Sequence, residues 1–303
     1  MRKWVIKTNQ NLGKTETSPG STKSGPWNKG SPRNRFRHFY FYLILGGAAF
    51  LFIILSGLLG RHLQWGVREV PNVHYMDSVG PNFLFRGGLP QIGTPPVFNY
   101  EGLIRAIQNA GKKARVRTPS SCYLIDVNFL NIENPQDAQW IAVEQKFFKV
   151  HPKLGRIQVW GINGTGLSVN DPALAACRIF LARNLDNWLN DRLAQRVELL
   201  RGWLENGPSA DQGKNGRLRT KLPIVIYIHC AAGCDRTGEF SGAYYLRYLN
   251  KSWEEVNALN RSMCNNRPFD CKNYRAVQWY SLWLNLERGF SLNWWQEFPC
   301  SGN

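Results

Sequence analysis

The sequence predicts an α/β fold in which a central, mainly parallel sheet is flanked by helices. Three β-rich stretches carry this prediction, at residues 122–130, 156–162 and 224–228, and each precedes a stretch with helical spacing. Strands that alternate with helices pair in parallel, because a parallel pair needs a crossover long enough to contain a helix. The run 224–228 consists of β-branched and aromatic residues, which is typical of a strand buried on both faces.

The chain begins with a segment that we do not expect to fold. Residues 1–38 contain nine lysines and arginines and a single acid, Glu16, and they are rich in glycine, serine, asparagine and proline. Such a segment buries too little apolar surface to offset the entropy lost on ordering. We therefore predict a basic disordered tail.

A transmembrane anchor is predicted at residues 39–60, because no charged residue occurs there. As a helix this run spans roughly 33 Å, which is enough for a hydrocarbon core of about 30 Å. A cleaved signal peptide is disfavoured, since the apolar run is too long and begins far from the N-terminus. A buried helix of a soluble domain is the alternative.

The orientation of this anchor follows from its basic side. Nine cations precede the run, against Arg61 and Arg68 soon after it. We therefore expect a cytoplasmic N-terminus and an extracytoplasmic domain, in the secretory pathway or at the cell surface. Glycosylation triplets at Asn163, Asn250 and Asn260 and the seven cysteines fit such a compartment. The mitochondrial inner membrane is the alternative, because the tail is basic and nearly free of acids.

The rest of the chain is predicted to form a short stem, residues 61–80, and one domain, residues 81–303. Helices are expected at residues 100–110, 137–150, 172–206, 252–264 and 273–288. The third of these is so long that we expect a bend or break, within residues 184–190. The sequence has no metal-ligand spacing and no nucleotide-binding glycine loop, so we expect no cofactor and no metal. No nucleic-acid-binding motif accompanies the positive charge, so nucleic acid is not an expected partner.

The most informative stretch is residues 229–238, His-Cys-Ala-Ala-Gly-Cys-Asp-Arg-Thr-Gly, between a predicted strand and a predicted helix. A tight strand-to-helix loop around Gly233 can point its N–H groups inward. At the positive end of a helix dipole, such a loop binds a phosphate-sized anion. We therefore predict a phosphate site in the loop that consists of Ala231, Ala232, Gly233, Cys234, Asp235 and Arg236.

The same position favours nucleophilic chemistry at Cys230. A helix N-terminus and a nearby guanidinium stabilise a thiolate, which is the form that attacks phosphorus. Arg236 offers a planar fork of donors that matches two phosphoryl oxygens. Thr237 is expected to hydrogen-bond the sulfur as it leaves, and His229 to brace the loop. For Cys230 or His229 alone a structural role would be the better interpretation, whereas the complete pattern favours catalysis.

The pattern His-Cys-x-x-Gly-x-x-Arg-Thr-Gly resembles the signature loop of the cysteine-dependent protein tyrosine and dual-specificity phosphatase superfamily. The resemblance covers roughly residues 82–288. It includes Asn82-Phe-Leu-Phe-Arg-Gly-Gly-Leu-Pro, which is similar to the segment that opens many small dual-specificity-like phosphatases. There Arg86 is expected to help brace the active-site face; a solvated turn residue is the alternative. The resemblance implies a dual-specificity-phosphatase-like domain and a phosphocysteine intermediate, formed without a metal.

The resemblance also implies a general acid, an aspartate on a movable loop that protonates the leaving oxygen. The corresponding loop is expected at residues 160–171, which contain no Trp-Pro-Asp string. Asp171 is the candidate by position, although it can equally cap the helix that Pro172 opens. Asp126 is less well placed, because it lies within a predicted strand.

Asp235 is a third candidate for the acid. The string Cys-x-x-Gly-x-Asp-Arg-Thr resembles the loop of myotubularin-type lipid phosphatases, and that of bacterial enzymes acting on both phosphotyrosine and phosphoinositides. Those bacterial enzymes usually carry lysine where this chain has Cys234, so one charge that could hold a second phosphate is missing. Cys234 is hypothesised instead to be a resolving thiol that protects Cys230.

Together these features predict a membrane-anchored phosphatase that hydrolyses phosphomonoesters. Phosphotyrosine and related phosphoprotein esters are the expected substrates, and phosphoinositides are the alternative. A non-catalytic, phosphate-binding pseudophosphatase is a further alternative, which the uncertain acid favours and the presence of Cys230 and Arg236 disfavours. The expected partners are the phosphorylated substrate and, through residues 39–60, a membrane.

Overall fold

The structure, a computed structural model, describes residues 69–207 and 222–289. The strands of its central sheet are β1 (His74–Val79), β2 (Asn82–Gly87), β5 (Tyr123–Asn128), β6 (Gly155–Val159) and β7 (Ile224–His229), and a separate two-stranded ribbon consists of β3 (Gln91–Ile92) and β4 (Val97–Phe98). The strand order in the sheet is β1, β2, β7, β5, β6. The pairs β2–β7, β7–β5 and β5–β6 are parallel, whereas β1 runs antiparallel to β2. The predicted α/β fold with a mainly parallel sheet is confirmed.

Each stretch predicted to be helical contains a helix. The described helices are α1 (Tyr100–Lys113), α2 (Pro135–Val150), α3 (Arg178–Arg183), α4 (Leu185–Trp188), α5 (Leu193–Asn206), α6 (Asp235–Tyr248), α7 (Trp253–Met263) and α8 (Cys271–Arg288), with a 3-10 turn at Pro172–Leu174. The stretch expected as one long helix is therefore four short elements. It breaks at Asn184 and again between Leu189 and Arg192, which includes the break expected within residues 184–190.

The sheet is covered on both faces, which explains the apolar run of β7. On one face α1 and α2 pack against Phe85 and Tyr227. On the other face α5, α6 and α8 pack against Ile226 and Ile228. All six residues of β7 are buried, because the strand has parallel neighbours on both sides and helices above and below. The strand that leads to the signature loop is thus held more firmly than any edge strand would be.

The prediction that residues 61–80 form a stem is wrong at the carboxyl end of that range. Strand β1 lies within it and pairs with β2, so the folded domain begins before residue 81. The error has a physical reason. β1 is an edge strand in which only Met76 is buried, and its register shifts between Tyr75 and Asp77. Its sequence therefore lacks the regular alternation by which a half-buried strand is recognised.

The predicted basic tail, residues 1–38, and the predicted anchor, residues 39–60, lie outside the described residues. Within residues 69–207 and 222–289, no helix has both the length and the apolar character needed to cross a bilayer. The anchor therefore stays a prediction.

Candidate active site

The signature loop lies at the carboxyl end of β7, and α6 begins directly after it at Asp235. The first helical hydrogen bond runs from the N–H of Gly238 to the carbonyl oxygen of Cys234. Because β5, β6 and β7 are parallel, their carboxyl ends share one edge of the sheet, and the loops that follow them surround the signature loop. The site predicted from the sequence therefore lies at the edge where such folds bind ligands.

Gly233 is required by both conformation and space. Its φ is +74°, in the left-handed region that side chains disfavour. A Cβ placed on it would lie 2.4 Å from the carbonyl carbon of Gly87 and 2.7 Å from the nitrogen of Gly88. The signature loop therefore packs backbone to backbone on the Gly87-Gly88 pair that the sequence places directly after Arg86.

Three successive carbonyl groups of the loop accept hydrogen bonds from residues outside the loop. The oxygen of Ala231 accepts the N–H of Leu89 at 3.0 Å, and that of Ala232 accepts the amide of Asn72 at 3.2 Å. The oxygen of Gly233 accepts Nη2 of Arg86 at 3.0 Å. In a trans peptide the C=O and the N–H point in opposite directions. The following N–H groups therefore point inward, as a phosphate-binding loop requires.

Arg86 is the centre of this support. It is fully buried, and its Nη1 also donates to Ser241 at 2.5 Å and to Oδ1 of Asn260 at 2.6 Å. The guanidinium thus joins the signature loop to α6 and α7. This is the bracing geometry expected for Arg86, and the alternative of a solvated turn residue is wrong.

The same contacts correct one glycosylation prediction. Asn260 is 3% exposed, and its amide also donates to the carbonyl oxygen of Gly238 at 3.2 Å. A buried amide whose oxygen and nitrogen are both hydrogen-bonded is not accessible for glycosylation. Asn163 and Asn250 are exposed, so those two triplets remain as predictions.

Cys230 and Thr237 lie within the site itself. Cys230 is a free thiol that is 3% exposed. Thr237 is fully buried, and among the described residues its hydroxyl has no hydrogen-bond partner. That hydroxyl is therefore available for the hydrogen bond to sulfur that the sequence predicts.

His229 lies in a fully buried cluster with two carboxyl groups. Its Nε2 is 2.9 Å from Oδ1 of Asp126 and 3.6 Å from Oε2 of Glu144. Burial alone would lower the pKa of His229, but the two carboxylates outweigh it and raise that pKa well above 6.5. Burial also raises the pKa of Asp126. The cluster braces the residue next to the nucleophile, which is the role expected for His229.

These three side chains are close enough together to raise the question of a metal ion. The direct contact between His229 and Asp126 already joins two of them. Glu144 in addition accepts hydrogen bonds from the amides of Asn128, at 2.5 Å, and Gln91, at 2.9 Å. The contacts of these side chains are with one another and with amide donors, so we interpret the cluster as a buried polar network that supports the loop.

The guanidinium of Arg236 is held by Asp137, a residue that the sequence reasoning missed. The distance between Nη1 and Oδ2 is 2.5 Å, and Asp137 also accepts the N–H of Asn131 at 3.0 Å. Asp137 lies in the first turn of α2, just beyond the carboxyl end of β5. Since β5 neighbours β7 in the sheet, a polar side chain at this point was a usable signal for the site.

Substitution of Arg236 by lysine keeps the positive charge and removes the planar fork of donors, so it tests what the fork contributes to activity. We expect Arg236→Lys to lower kcat/KM for an aryl phosphate by about 10²–10³, because transition-state donors are lost. Asp137→Asn should cost about tenfold or less, since the guanidinium remains. Arg261→Lys, on the exposed side of α7, is the control. Near-normal activity of Arg236→Lys would contradict the assignment.

The expected acid loop, residues 160–171, is held at several points. Asp191, which is buried, accepts the N–H groups of Asn163 and Gly164 at 2.9 and 2.8 Å. From α8, Arg275 donates to the oxygen of Gly166 at 2.9 Å, and Trp279 donates to that of Leu167 at 3.0 Å. The movable loop implied by the resemblance is therefore tied to Asp191 at residues 163 and 164 and to α8 at residues 166 and 167.

Glu239 ties the same loop to the helix of the signature loop. It is fully buried on α6, and burial together with the neighbouring Asp191 raises the pKa of Glu239 well above its usual range. Its Oε2 accepts the amide of Asn273 at 2.7 Å, and its carboxyl group neighbours that of Asp191, which accepts the N–H groups of the loop. Sequence reasoning missed Glu239 and Asp191, because a buried acid pair has no local pattern.

Two of the three candidate acids, Asp171 and Asp235, accept hydrogen bonds elsewhere in the fold. Asp171 accepts the N–H of Ala173 at 2.9 Å as the cap of the 3-10 turn, which is the alternative that the sequence left open. Asp235 accepts Nη2 of Arg267 at 2.6 Å and the N–H of Asp270 at 3.0 Å. The structure thus places Asp171 and Asp235 as acceptors within local structure, and the general acid stays a prediction.

The hypothesis that Cys234 is a resolving thiol is wrong in this structure. Cys234 forms a disulfide with Cys264, which follows α7, across a Cα–Cα distance of 5.7 Å. Its sulfur is therefore bonded away from Cys230. Together with the ion pair between Asp235 and Arg267, the disulfide fastens the segment after α7 to the end of the signature loop.

No protein-family model and no curated protein matches the chain. Among solved structures, the core catalytic domain of the PP-IP phosphatase SIW14 from S. cerevisiae is 17% identical, with 77% of this chain and 99% of that chain covered and a TM-score of 0.35. PTPMT1 is 12% identical, with 72% and 99% covered and a TM-score of 0.35. The Yvh1 phosphatase domain from Chaetomium thermophilum is 15% identical, with 72% and 96% covered and a TM-score of 0.28.

Two of these structural neighbours are named as phosphatases. At these TM-scores the overlap carries no argument about activity or substrate, so those conclusions depend on the chain's own residues.

Proposed function

We propose that this chain is a cysteine-dependent phosphatase that hydrolyses phosphomonoesters through a phosphocysteine intermediate. One observation carries the proposal. The free thiol of Cys230 lies at the N-terminal end of α6, in a loop whose carbonyl groups are bonded outward. We infer that this nucleophile, the inward N–H donors and the guanidinium of Arg236 together form the site for a phosphoryl group.

The chemistry has two steps. The thiolate of Cys230 attacks phosphorus, the S–P bond forms and the P–O bond to the leaving group breaks, while Arg236 and the loop N–H groups hold the other phosphoryl oxygens. Water then attacks phosphorus, the P–S bond breaks, and orthophosphate leaves with the added oxygen. Thr237 stabilises the sulfur as its thiolate is restored. The water proton and any proton on the leaving oxygen exchange with an acid or with solvent.

Phosphotyrosine and related phosphoprotein esters are the proposed substrates. An aryl oxygen leaves more readily than an alkyl oxygen, so a phenolic ester depends less on a general acid. The engagement of Asp171 and Asp235 as acceptors favours such substrates. Phosphoinositides are the second candidate, supported by the Asp-Arg-Thr string of the signature loop. A phosphate-binding protein without turnover is the remaining alternative.

Phosphate release by the full chain tests these alternatives. We would measure release from para-nitrophenyl phosphate, a phosphotyrosyl peptide panel and a phosphoinositide panel, with Cys230→Ser as the blank. Turnover of the aryl phosphate supports an enzyme, and the two panels then rank the substrate classes. Binding of phosphate without release from any substrate would establish the pseudophosphatase and overturn the proposal.

We further propose a single-pass membrane protein, anchored by residues 39–60, with the N-terminus cytoplasmic and the domain in the secretory pathway or at the cell surface. The disulfide between Cys234 and Cys264 supports an oxidising compartment. The mitochondrial inner membrane is the alternative. Protease protection of the domain in sealed membranes, with and without detergent, would distinguish an extracytoplasmic domain from a cytosolic one.

A further inference from the structure

We propose that α3 and the tip of the neighbouring loop dock on an anionic bilayer surface beside the active site. The first observation is an exposed apolar face. Phe180 is 68% exposed and Ile179 is 37% exposed. Within α3, Ile179, Phe180 and Arg183 are all exposed, and Arg183 follows the other two at the i+4 and i+3 spacing of one helix face.

The opposite face of this segment is firmly attached to the domain. Ala182 and Leu185 are buried, and the ring of Trp188 packs edge-on against Trp279 of α8. The exposed face is therefore presented by a fixed element. Its apolar side chains are turned outward although the rest of the segment contributes to the core.

The face lies at the same edge of the sheet as the signature loop. Leu167, at the tip of the loop that follows β6, is 40% exposed, and its carbonyl oxygen accepts Nε1 of Trp279. α3 packs against the same helix, α8. Since the loop after β6 surrounds the site, a surface that contacts Leu167 and Phe180 also faces the mouth of the site.

Charge at this face favours an anionic partner. Arg183 is exposed on this face, whereas the flanking acids Asp171 and Asp186 each accept backbone N–H groups. Lys272, at the start of α8, is exposed, and its carbonyl oxygen accepts the N–H of Thr165 in the same loop. Cations that border exposed aromatic and aliphatic side chains are typical of a segment that lies in a membrane interface.

The size of the exposed apolar surface favours a bilayer over a protein partner. The exposed parts of Phe180, Ile179 and Leu167 amount to roughly 300 Å² of apolar surface. A stable protein interface or homodimer needs about 800 Å² from each partner. A bilayer has no such requirement, because a few inserted side chains and nearby cations suffice once the chain is held at the surface.

A photo-crosslinking residue identifies the occupant directly. p-Benzoylphenylalanine would replace Phe180 in the full chain, with phosphatidylcholine vesicles that contain or lack phosphatidylglycerol. Val150, which is 64% exposed at the end of α2, is the matched control position. We expect at least about fivefold more lipid adduct at position 180 than at 150, and more with phosphatidylglycerol. Equal adducts at both positions, or adducts to a second copy, would overturn the proposal.

Activity gives a second readout, which rests on the proposed function. The double variant Ile179→Ser, Phe180→Ser should lose at least about tenfold in release from a phosphoinositide in vesicles and keep its rate on soluble para-nitrophenyl phosphate. Val150→Ser should change neither rate. An unchanged vesicle rate in the double variant contradicts docking. Failure of the wild-type chain on every substrate contradicts the proposed enzyme and leaves the crosslinking result to decide docking alone.

Discussion

Replacement of Cys230 by serine should reduce phosphate release from para-nitrophenyl phosphate by on the order of 10⁴-fold or more. A serine hydroxyl is a poor nucleophile unless a base removes its proton. The histidine next to position 230 is not expected to serve, because it is fully buried and its Nε2 lies against Oδ1 of Asp126, 2.9 Å away. The measurement is initial-rate kinetics at saturating substrate.

Two controls separate lost chemistry from lost folding. Cys230→Ser keeps Arg236 and the loop N–H groups, so it should still bind orthovanadate or phosphate, as measured by calorimetry. Cys177→Ser, at a free cysteine on a different element, should retain full activity. Residual turnover of Cys230→Ser within about tenfold of wild type would exclude a phosphocysteine mechanism.

Removal of the disulfide should have the largest effect on stability. For the 30-residue separation between Cys234 and Cys264, the chain-entropy relation gives about 3–4 kcal/mol. Cys264→Ser should therefore lower the free energy of unfolding by about that amount, because the unfolded chain is no longer constrained. Urea denaturation followed by tryptophan fluorescence measures the change.

The matched control is again Cys177→Ser, which removes a sulfur without breaking a disulfide. In reductant, most of the difference in stability between the wild-type chain and Cys264→Ser should disappear. Equal stability of Cys264→Ser and wild type under oxidising conditions would show that the disulfide contributes nothing to the fold.

The nucleophile and the loop around it could be predicted because their signal is local. Cys230, Gly233 and Arg236 occur at a fixed spacing where a strand leads into a helix. That spacing alone is enough to predict the geometry of the loop. The parallel sheet could also be predicted, because its central strand is buried on both faces and is therefore almost entirely apolar in sequence. β1 was missed for the opposite reason, because an edge strand needs no regular pattern.

The residues that support the site could not be predicted with the same ease. Asp137 is 99 positions from Arg236, and Asp126 is 103 positions from His229. Such pairs depend on which strands lie side by side, and sequence spacing does not reveal that. The disulfide could not be predicted for the same reason, because several pairings of the seven cysteines are compatible with the sequence.

The loop after β6 has one consequence for how substrate reaches the site. Asp191 and α8 hold that loop at both its backbone amides and its carbonyls. Because these hydrogen bonds would have to break for the loop to move, we expect the loop to stay in place when an ester binds. In the proposed enzyme, a phosphate carried on a bulky, slowly diffusing surface would then enter without waiting for a cover to open.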